Sequence, residues 1–258
     1  MPTRRGGTSA ARPLLPDGIA ACLFDLDGVL VQTARLHAAA WKQLFDAFLR
    51  ARAGRSGGEF RPFALPDDYA AHVDGRLRED GVRCFLASRG IELPEGTADD
   101  PPAAATVHGL ATRKNALVLE LIEREGIETY EGSIRFARAT RAAGLRQAVV
   151  SASKNTGSVL AAAGIADLFE TVVDGLVAAR EGLPGKPRPD MFLAGARRLG
   201  VEPAEAAVFE DALAGVEAGR AGAFGHVVGV DRGAGAEALR AHGADVVVSD
   251  LAELLEER

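Results

Sequence analysis

Cysteines, long apolar runs and blocks of positive charge are all scarce or missing in this chain of 258 residues. The two cysteines, Cys22 and Cys84, are too few to form the disulfide framework of a small secreted protein. No apolar stretch approaches the ~18 residues that a membrane-spanning helix needs, which argues against a membrane protein. The net charge is −6 and no long run of lysine and arginine occurs, which argues against a nucleic-acid partner.

The amino-terminal segment MPTRRGGTSAARP is basic and lacks the apolar stretch of a secretory signal. We therefore expect residues 1–16 to form a flexible tail and the protein to be cytoplasmic. Hydrophobic residues make up 47% of the chain and charged residues 26%, the balance of a protein with a sizeable buried core. The length fits one large α/β domain, or a core domain with a smaller insert.

Apolar runs typical of strands alternate with helical patterns over the second half of the chain. Strands are expected at residues 147–150, 171–173, 206–209, 226–230 and 245–248, with helices between them. Such alternation predicts a parallel sheet that is covered by helices on both faces. A similar apolar run at residues 19–24 belongs to the same set of strands.

A different pattern separates that first run from the alternating part. Helices are expected over residues 34–50, 67–90 and 112–125, with glycine- and proline-rich loops at 51–66 and 93–106. We therefore expect a doubly wound α/β core formed by residues 17–33 and 112–258. Residues 34–111 are expected to form a mostly helical insert after the first strand.

Polar side chains follow three of the predicted strands. These residues are Asp25 and Asp27, Ser151 to Ser153, and Glu210 and Asp211. Ligands of open parallel sheets bind beyond the carboxyl ends of the strands, so these side chains are expected to converge although they are distant in sequence. Lys186 precedes a predicted helix and can reach the same crevice.

Four carboxylates in one small volume repel one another unless positive charge offsets them. Lys186 supplies one positive charge, and a divalent cation would supply two more. Ligands that are all oxygens, with no histidine or cysteine among them, favour Mg²⁺. We therefore expect Mg²⁺ to be held by four acidic residues: Asp25, Asp27, Glu210 and Asp211.

Two aspartates separated by one residue can divide the work of phosphoryl transfer. We expect Asp25 to attack phosphorus and Asp27 to protonate the leaving oxygen. Gly28 permits the turn that brings both side chains to one pocket. Ser151 and the amides after it can bind phosphoryl oxygens, and Lys186 can neutralise their charge.

The segments DLDGVL, VVSAS, GKPRPD and FEDALAGVEAGRAG resemble, in this order, the four motifs of the haloacid dehalogenase-like superfamily. The resemblance extends from about residue 18 over nearly the whole chain. It implies a Rossmann-like core, Mg²⁺ and an aspartyl-phosphate mechanism.

The segments TARLHAAAWK, DGRLRED, RKN and SASKN resemble the β-phosphoglucomutase family more closely. This likeness implies a mobile helical cap and the interconversion of β-glucose 1-phosphate and glucose 6-phosphate, with Arg78 on the distal phosphate. The implied substrate contacts are Thr33, His37, Trp41, Arg78, Lys114, Asn115, Ala152, Ser153 and Asn155. Gln32 and Arg188 depart from the family pattern, which has Asp and Ala there, and could alter the cap hinge or the pocket rim.

Other readings remain open. The same motifs occur in phosphatases of the superfamily, where water replaces the second sugar, and the fold also hosts modules without catalysis. In a dehalogenase, Asp27 and the acidic pair Glu210 and Asp211 would have no clear catalytic role. Arg78 could belong to a solvated ion-paired helix face, His37 to the hinge and Trp41 to the core of the cap. A cap that moves freely on its core is compatible with a monomer.

Overall fold

The computed structural model describes residues 11–57 and 59–256. The strands are β1 (Arg12–Pro13), β2 (Ala21–Phe24), β3 (Arg146–Val150), β4 (Thr171–Val173), β5 (Ala206–Glu210), β6 (His226–Val230), β7 (Val246–Val248) and β8 (Leu255–Glu256). The helices are α1 (Ala34–Ser56), α2 (Asp67–His72), α3 (Arg78–Ser88), α4 (Val107–Glu125), α5 (Glu131–Ala142), α6 (Thr156–Ala162), α7 (Gly175–Glu181), α8 (Asp190–Leu199), α9 (Leu213–Ala221) and α10 (Ala236–Ala241).

Six parallel strands form the main sheet in the order β4-β3-β2-β5-β6-β7. The strand β2 lies between β3 and β5, which start the two halves of the sheet. A crevice opens beyond the carboxyl end of a strand where the order reverses in this way. The predicted doubly wound α/β fold is confirmed, and the end of β2 occupies the position where such folds bind ligands.

Both faces of the sheet are buried, as its continuous apolar strands predict. One face packs Phe24 and Phe209 against α5 and α6, and these two rings stack at a centroid distance of 4.7 Å. The other face packs Leu23 and Val208 against α7, α8, α9 and α10. This two-sided burial fixes the strand ends and holds the side chains that follow them.

The helices α1 to α4 form a second group with its own apolar core. Trp41 stacks on Phe45 at 5.2 Å, and Phe45 contacts the rings of Phe63 and Phe85. The group, called the cap below, is joined to the sheet by two linkers, residues 25–33 and 126–130.

The helix predicted over residues 67–90 is wrong in one respect, since α2 ends at His72 and α3 begins at Arg78. The break contains Gly75, whose φ is +66°. A Cβ added there would lie 2.9 Å from the Cβ of Ala212, so only glycine lets this loop approach the sheet so closely. The interruption brings the cap into contact with the catalytic end of the core.

The boundary expected between residues 111 and 112 falls inside α4. Thr106 caps this helix by accepting a hydrogen bond from the Gly109 amide at 2.9 Å, so the helix begins five residues before the predicted start at 112. Val118 and Leu121 in its second half pack with α1. We therefore propose that the cap extends to residue 125.

Two helices also differ from the sequence predictions. Helix α1 continues past residue 50, where the loop over 51–66 was expected to begin, and ends at Ser56. Helix α7 is additional, and its start is marked by Asp174, which accepts hydrogen bonds from two amides of the first turn.

The prediction of a flexible tail at residues 1–16 does not hold for residues 12–13, which form β1. Arg12–Pro13 pairs antiparallel with Leu255–Glu256, because those backbone groups gain hydrogen-bond partners at the edge of the domain. Residues 1–10 lie outside the described part of the chain. No helix among residues 11–57 and 59–256 is long and apolar enough to cross a membrane.

Candidate active site

Lys186 lies at the centre of the charged groups beyond β2. Its side chain is fully buried, and its ammonium group donates hydrogen bonds to Asp25, Glu210 and the carbonyl of Val150. Burial alone would lower the pKa of Lys186, but the carboxylates of Asp25 and Glu210 outweigh it and raise the pKa above the usual lysine range. Lys186 is therefore a permanent cation that joins three strand ends.

Asp25 is 6% exposed and follows directly on β2. Its amide donates to the Phe209 carbonyl at 2.9 Å, so the backbone at this position continues the sheet. Burial raises the pKa of Asp25 well above the usual range, and the charges of Glu210 and Asp27 add to this, while Lys186 opposes it. One lysine does not offset all the carboxylates gathered here.

Asp27 is held from the cap side of the same loop. The hydroxyl of Thr33 donates to its Oδ1 atom, and His37 Nε2 lies 3.6 Å from that oxygen. Gly28 has φ of +90°, and a Cβ there would lie 1.9 Å from an oxygen of Asp211. Glycine is therefore required where the loop after β2 passes Asp211.

Ser151 continues β3 into the loop that precedes α6. It is 1% exposed, and its hydroxyl accepts a hydrogen bond from the Ser153 amide at 3.1 Å. Asn155, at the start of α6, likewise bonds through its amide to the Ser153 hydroxyl at 3.2 Å. The loop thus turns back on itself and directs polar groups to the crevice.

The cap contributes a second set of polar side chains. Lys114 is 3% exposed, lies 3.0 Å from His37 Nδ1 and sits 5.0 Å from the centre of the Trp41 ring. Burial, aided by the charge of Arg78, lowers the pKa of Lys114 to about 7. Burial and the nearby Lys114 lower the pKa of His37 to about 4, so this imidazole is neutral at pH 7.

Arg78 faces the crevice and not the solvent. Its guanidinium donates to Asn115 Oδ1 at 2.9 Å, and Asn155 Nδ2 donates to the same oxygen at 2.9 Å. Burial lowers the pKa of Arg78. The solvated ion-paired reading applies instead to Arg83, which pairs with Asp80 and Glu95.

The two sets enclose a cavity of about 60 Å³ between cap and core. The predicted residues that line it are Asp25, Asp27, His37, Trp41, Arg78, Lys114, Ser151, Ala152, Ser153 and Asp211. The other five predicted residues stand behind this lining. Thr33, Asn115, Asn155 and Lys186 each contact a lining residue, and Glu210 contacts Lys186.

Comparison with known proteins decides the family. The family model described as haloacid dehalogenase-like hydrolase matches residues 19–222. The chain is 56% identical over 244 residues to the β-phosphoglucomutase of Mycobacterium bovis, covering 93% of each chain. It is 31% identical to hexitol phosphatase A of Escherichia coli, covering 90% of this chain and 91% of the relative. The crystal structure of β-phosphoglucomutase from Clostridium difficile superposes with a TM-score of 0.70 at 26% identity, covering 92% and 93% of the two chains.

The chain belongs to the haloacid dehalogenase-like hydrolase family.

Glu210, which is predicted to be a metal ligand, is hydrogen-bonded through both of its carboxylate oxygens. One of its oxygens accepts from Lys186, and the other accepts from the Ala212 amide at 2.9 Å. The side chain is fully buried beneath Gly215, whose added Cβ would lie 1.9 Å from the carboxylate. Glu210 thus holds Lys186 in place while Asp25, Asp27 and Asp211 line the cavity, and its role as a metal ligand stays a prediction.

Sequence reasoning missed five cavity residues from α2 and the break after it: Tyr69, Val73, Asp74, Gly75 and Arg76. Asp74 is hydrogen-bonded to Tyr69, and burial together with the charge of Glu210 raises the pKa of Asp74 to about 7. Asp74 in turn helps burial to raise the pKa of Asp211. The sequence carried two signals for this segment: the Asp-Gly pair, which is typical of a turn, and the family resemblance of DGRLRED.

The two departures from the family pattern lie in different places. Gln32 donates from its side chain to the Thr129 carbonyl at 3.1 Å and from its amide to the Glu128 carbonyl at 2.8 Å. It therefore joins the two linkers of the cap. Arg188 is largely exposed, lies 3.7 Å from Asp190 and does not line the cavity described above.

Proposed function

We propose that this protein is a β-phosphoglucomutase that interconverts β-glucose 1-phosphate and glucose 6-phosphate through an aspartyl-phosphate at Asp25. The observation that carries the proposal is that the site has two ends suited to phosphate. Asp25 and Lys186 form one end, and Arg78 with Asn155 forms the other. A mutase must hold a phosphate at each end of one sugar. The 56% identity to the Mycobacterium bovis enzyme supports the same conclusion.

Asp25 is the proposed nucleophile, and its place at the end of a buried strand keeps its attacking oxygen aimed at the cavity. Asp27 is the proposed general acid and base. The Thr33 hydroxyl bonds one of its oxygens and thereby orients the carboxyl group. A proton passes from Asp27 to the leaving sugar oxygen as its bond to phosphorus breaks, and returns when the next sugar attacks.

Ser151 and the amides that follow it are proposed to receive the oxygens of the transferred phosphoryl group. Lys186 neutralises charge on those oxygens while it remains bonded to Glu210. Since these donors are fixed before substrate arrives, little reorganisation is needed during transfer.

The donor set around Asp25 suits Mg²⁺, because Asp25, Asp27 and Asp211 offer only oxygens and carry more negative charge than Lys186 offsets. No three acidic, histidine or cysteine side chains within the described ranges are placed to hold a metal ion as they stand. Asp25, Asp27 and Asp211 would hold the ion. When bound, Mg²⁺ would supply positive charge to the phosphoryl oxygens.

The cap must open for substrate to enter, because the cavity of about 60 Å³ is far smaller than the ~300–1,000 Å³ of typical ligand pockets. Four contacts between cap and core would break. Lys154 pairs with Glu79 at 2.7 Å, Asn155 bonds Asn115, Leu77 packs on Gly185 and Gly75 packs on Ala212. Closure around the sugar would then exclude water from the aspartyl-phosphate.

A phosphatase acting on sugar phosphates is the second candidate, favoured by the 31% identity to hexitol phosphatase A. Water would then replace the second sugar as acceptor. The two activities share the chemistry at Asp25, so the acceptor alone distinguishes them.

Product analysis tests the choice. Incubation with β-glucose 1-phosphate, Mg²⁺ and a trace of the bisphosphate should yield glucose 6-phosphate with little inorganic phosphate. Release of inorganic phosphate as the main product would make the protein a phosphatase. The variant Asp25→Asn, incubated in parallel, should give neither product.

A further inference from the structure

Arg232 lies in the loop after β6 and contacts three segments that are distant in sequence. Its Nε atom donates to the Gly28 carbonyl at 2.8 Å, and its Nη1 atom donates to the Ser249 carbonyl at 2.7 Å. The guanidinium stacks on the Tyr130 ring, 3.6 Å from its centre. One side chain thus joins the loop after β2, the end of β7 and the start of α5.

These contacts fall at the base of the two cap linkers. Val31 in the first linker forms bridges with both Asp27 and Thr129, so it connects the loop after β2 to the second linker. Tyr130 follows Thr129 directly. Arg232 therefore contacts both linkers at the points where they leave the core.

The contacts of Arg232 constrain the position of Asp27 more than that of Asp25. Asp25 is fixed by the sheet and by Lys186, independently of Arg232. Asp27 precedes Gly28, whose amide donates to the Val31 carbonyl at 2.9 Å and whose carbonyl is held by Arg232. A general acid must lie within ~2.6–3.2 Å of the oxygen that it protonates, so a rotation at Gly28 would cost proton transfer before it affects attack by Asp25.

A contribution to folding stability does not by itself explain the contacts of Arg232. The Nη2 atom of Arg232 is buried without a hydrogen-bond partner among the described residues. Such an atom is unfavourable in a residue kept only for packing. The fork geometry of a guanidinium is nevertheless what allows two carbonyls to be held at once.

We propose that Arg232 is a positioning residue that holds Asp27, through the Gly28 carbonyl, in place to exchange a proton with the sugar oxygen. In this step the bond between phosphorus and the sugar oxygen breaks, a bond from Asp25 to phosphorus forms, and the Asp27 proton moves to the departing oxygen. The inference rests on the proposed function only in requiring phosphoryl transfer to Asp25, and holds for a mutase and a phosphatase alike.

Two phosphoryl donors separate positioning from general damage. Acetyl phosphate releases a stable anion and needs no proton, whereas a sugar phosphate needs Asp27. The substitution Arg232→Met should lower turnover of β-glucose 1-phosphate by roughly 10²-fold, because general acid catalysis contributes that much or more. Phosphorylation of Asp25 by acetyl phosphate, followed by acid-quenched labelling, should change by less than about threefold by the same reasoning.

The variant Arg232→Lys should recover part of the loss, because one ammonium can reach one of the two carbonyls. Arg220→Met is the matched control, since Arg220 donates two hydrogen bonds to the Gly243 carbonyl at 3.0 and 2.7 Å in the same part of the sheet. It should leave the ratio of the two rates unchanged.

An equal fall with both donors in Arg232→Met, or no fall with either, would overturn the inference. If the unaltered protein released inorganic phosphate instead of glucose 6-phosphate, only the mutase assignment would be wrong. The rate of that hydrolysis would then be compared with the rate of Asp25 labelling by acetyl phosphate, and the inference about Arg232 would be tested in the same way.

Discussion

The two sides of the cavity are built in different ways. On the core side, Lys186 is fully buried and bonds to three strand ends, and Ser151 is 1% exposed. On the cap side, polar groups depend on contacts across the interface, such as the half-buried pair of Lys154 and Glu79. The core-side contacts do not involve the cap, whereas the interface contacts would be lost in the cap opening that we propose.

The difference separates chemistry from selection. Groups that stabilise a transferring phosphoryl group must be fixed in advance, which the parallel sheet achieves by burial on both faces. Groups that recognise the rest of the substrate can be brought to the site by cap closure, so that only a substrate that fits allows the cap to close. Each prediction below tests one side against the other.

The largest effect is expected at the nucleophile. Asp25→Asn should reduce phosphoryl transfer by roughly 10⁴-fold or more, because an amide cannot form the covalent intermediate. Acid-quenched labelling with acetyl phosphate should show no phosphoenzyme. Substantial labelling of this variant would show that another residue accepts the phosphoryl group.

Stability should distinguish the buried lysine from the interface lysine. Lys186→Met leaves two buried carboxylates without their cation and should cost about 3–5 kcal/mol of unfolding free energy, measured by urea denaturation. Lys154→Met removes a partly exposed pair and should cost about 0–1 kcal/mol. Equal losses in the two variants would contradict the proposed contrast between core and cap.

Arg78 tests the substrate side of the cap. Arg78→Ala should lower kcat/KM for β-glucose 1-phosphate by roughly 10²-fold, because a charge-assisted contact with the distal phosphate is lost. Labelling of Asp25 by acetyl phosphate should remain. Arg83→Ala is the control, because Arg83 lies on the same helix but pairs with Asp80 and Glu95 at the surface. Unchanged mutase kinetics in Arg78→Ala would remove the assignment of a second phosphate site.

The smallest effect concerns pH. Lys114 has a pKa of about 7, so it is charged below that pH and neutral above it. Its contribution to phosphate binding should therefore fall as pH rises, and kcat/KM should drop by up to about tenfold between pH 6 and pH 8. Lys114→Arg keeps the charge and should flatten this limb of the profile. A profile identical in the two proteins would assign the titration to another group.

The core side of the site could be predicted because its residues follow apolar strands directly. Once parallel strands are recognised, the carboxyl ends must meet, and Asp25, Ser151 and Asp211 are placed together by topology. Glu210 was predicted beside them, but only the structure shows that its oxygens accept hydrogen bonds from Lys186 and the Ala212 amide.

The cap side could be predicted less well. Helical spacing indicated one helix over residues 67–90, and the break at Gly75 turns Asp74 into the cavity. A single glycine in a helical pattern is tolerated in many helices, so the pattern alone does not reveal the break. Arg232 was missed for a related reason, because a lone arginine after a strand has no local signature of a tertiary contact.

The sequence by itself determined the alternation of strands and helices, the order of the four motifs and hence the acidic end of the sheet, because these follow from local periodicity and from the rule that parallel strands share one edge. Tertiary structure alone decided that the second half of α4 packs with α1, that Glu210 holds Lys186, that Asp74 lines the cavity and that Arg232 reaches the Gly28 carbonyl. These depend on side chains distant in sequence meeting at 3–4 Å, and no local pattern encodes such distances.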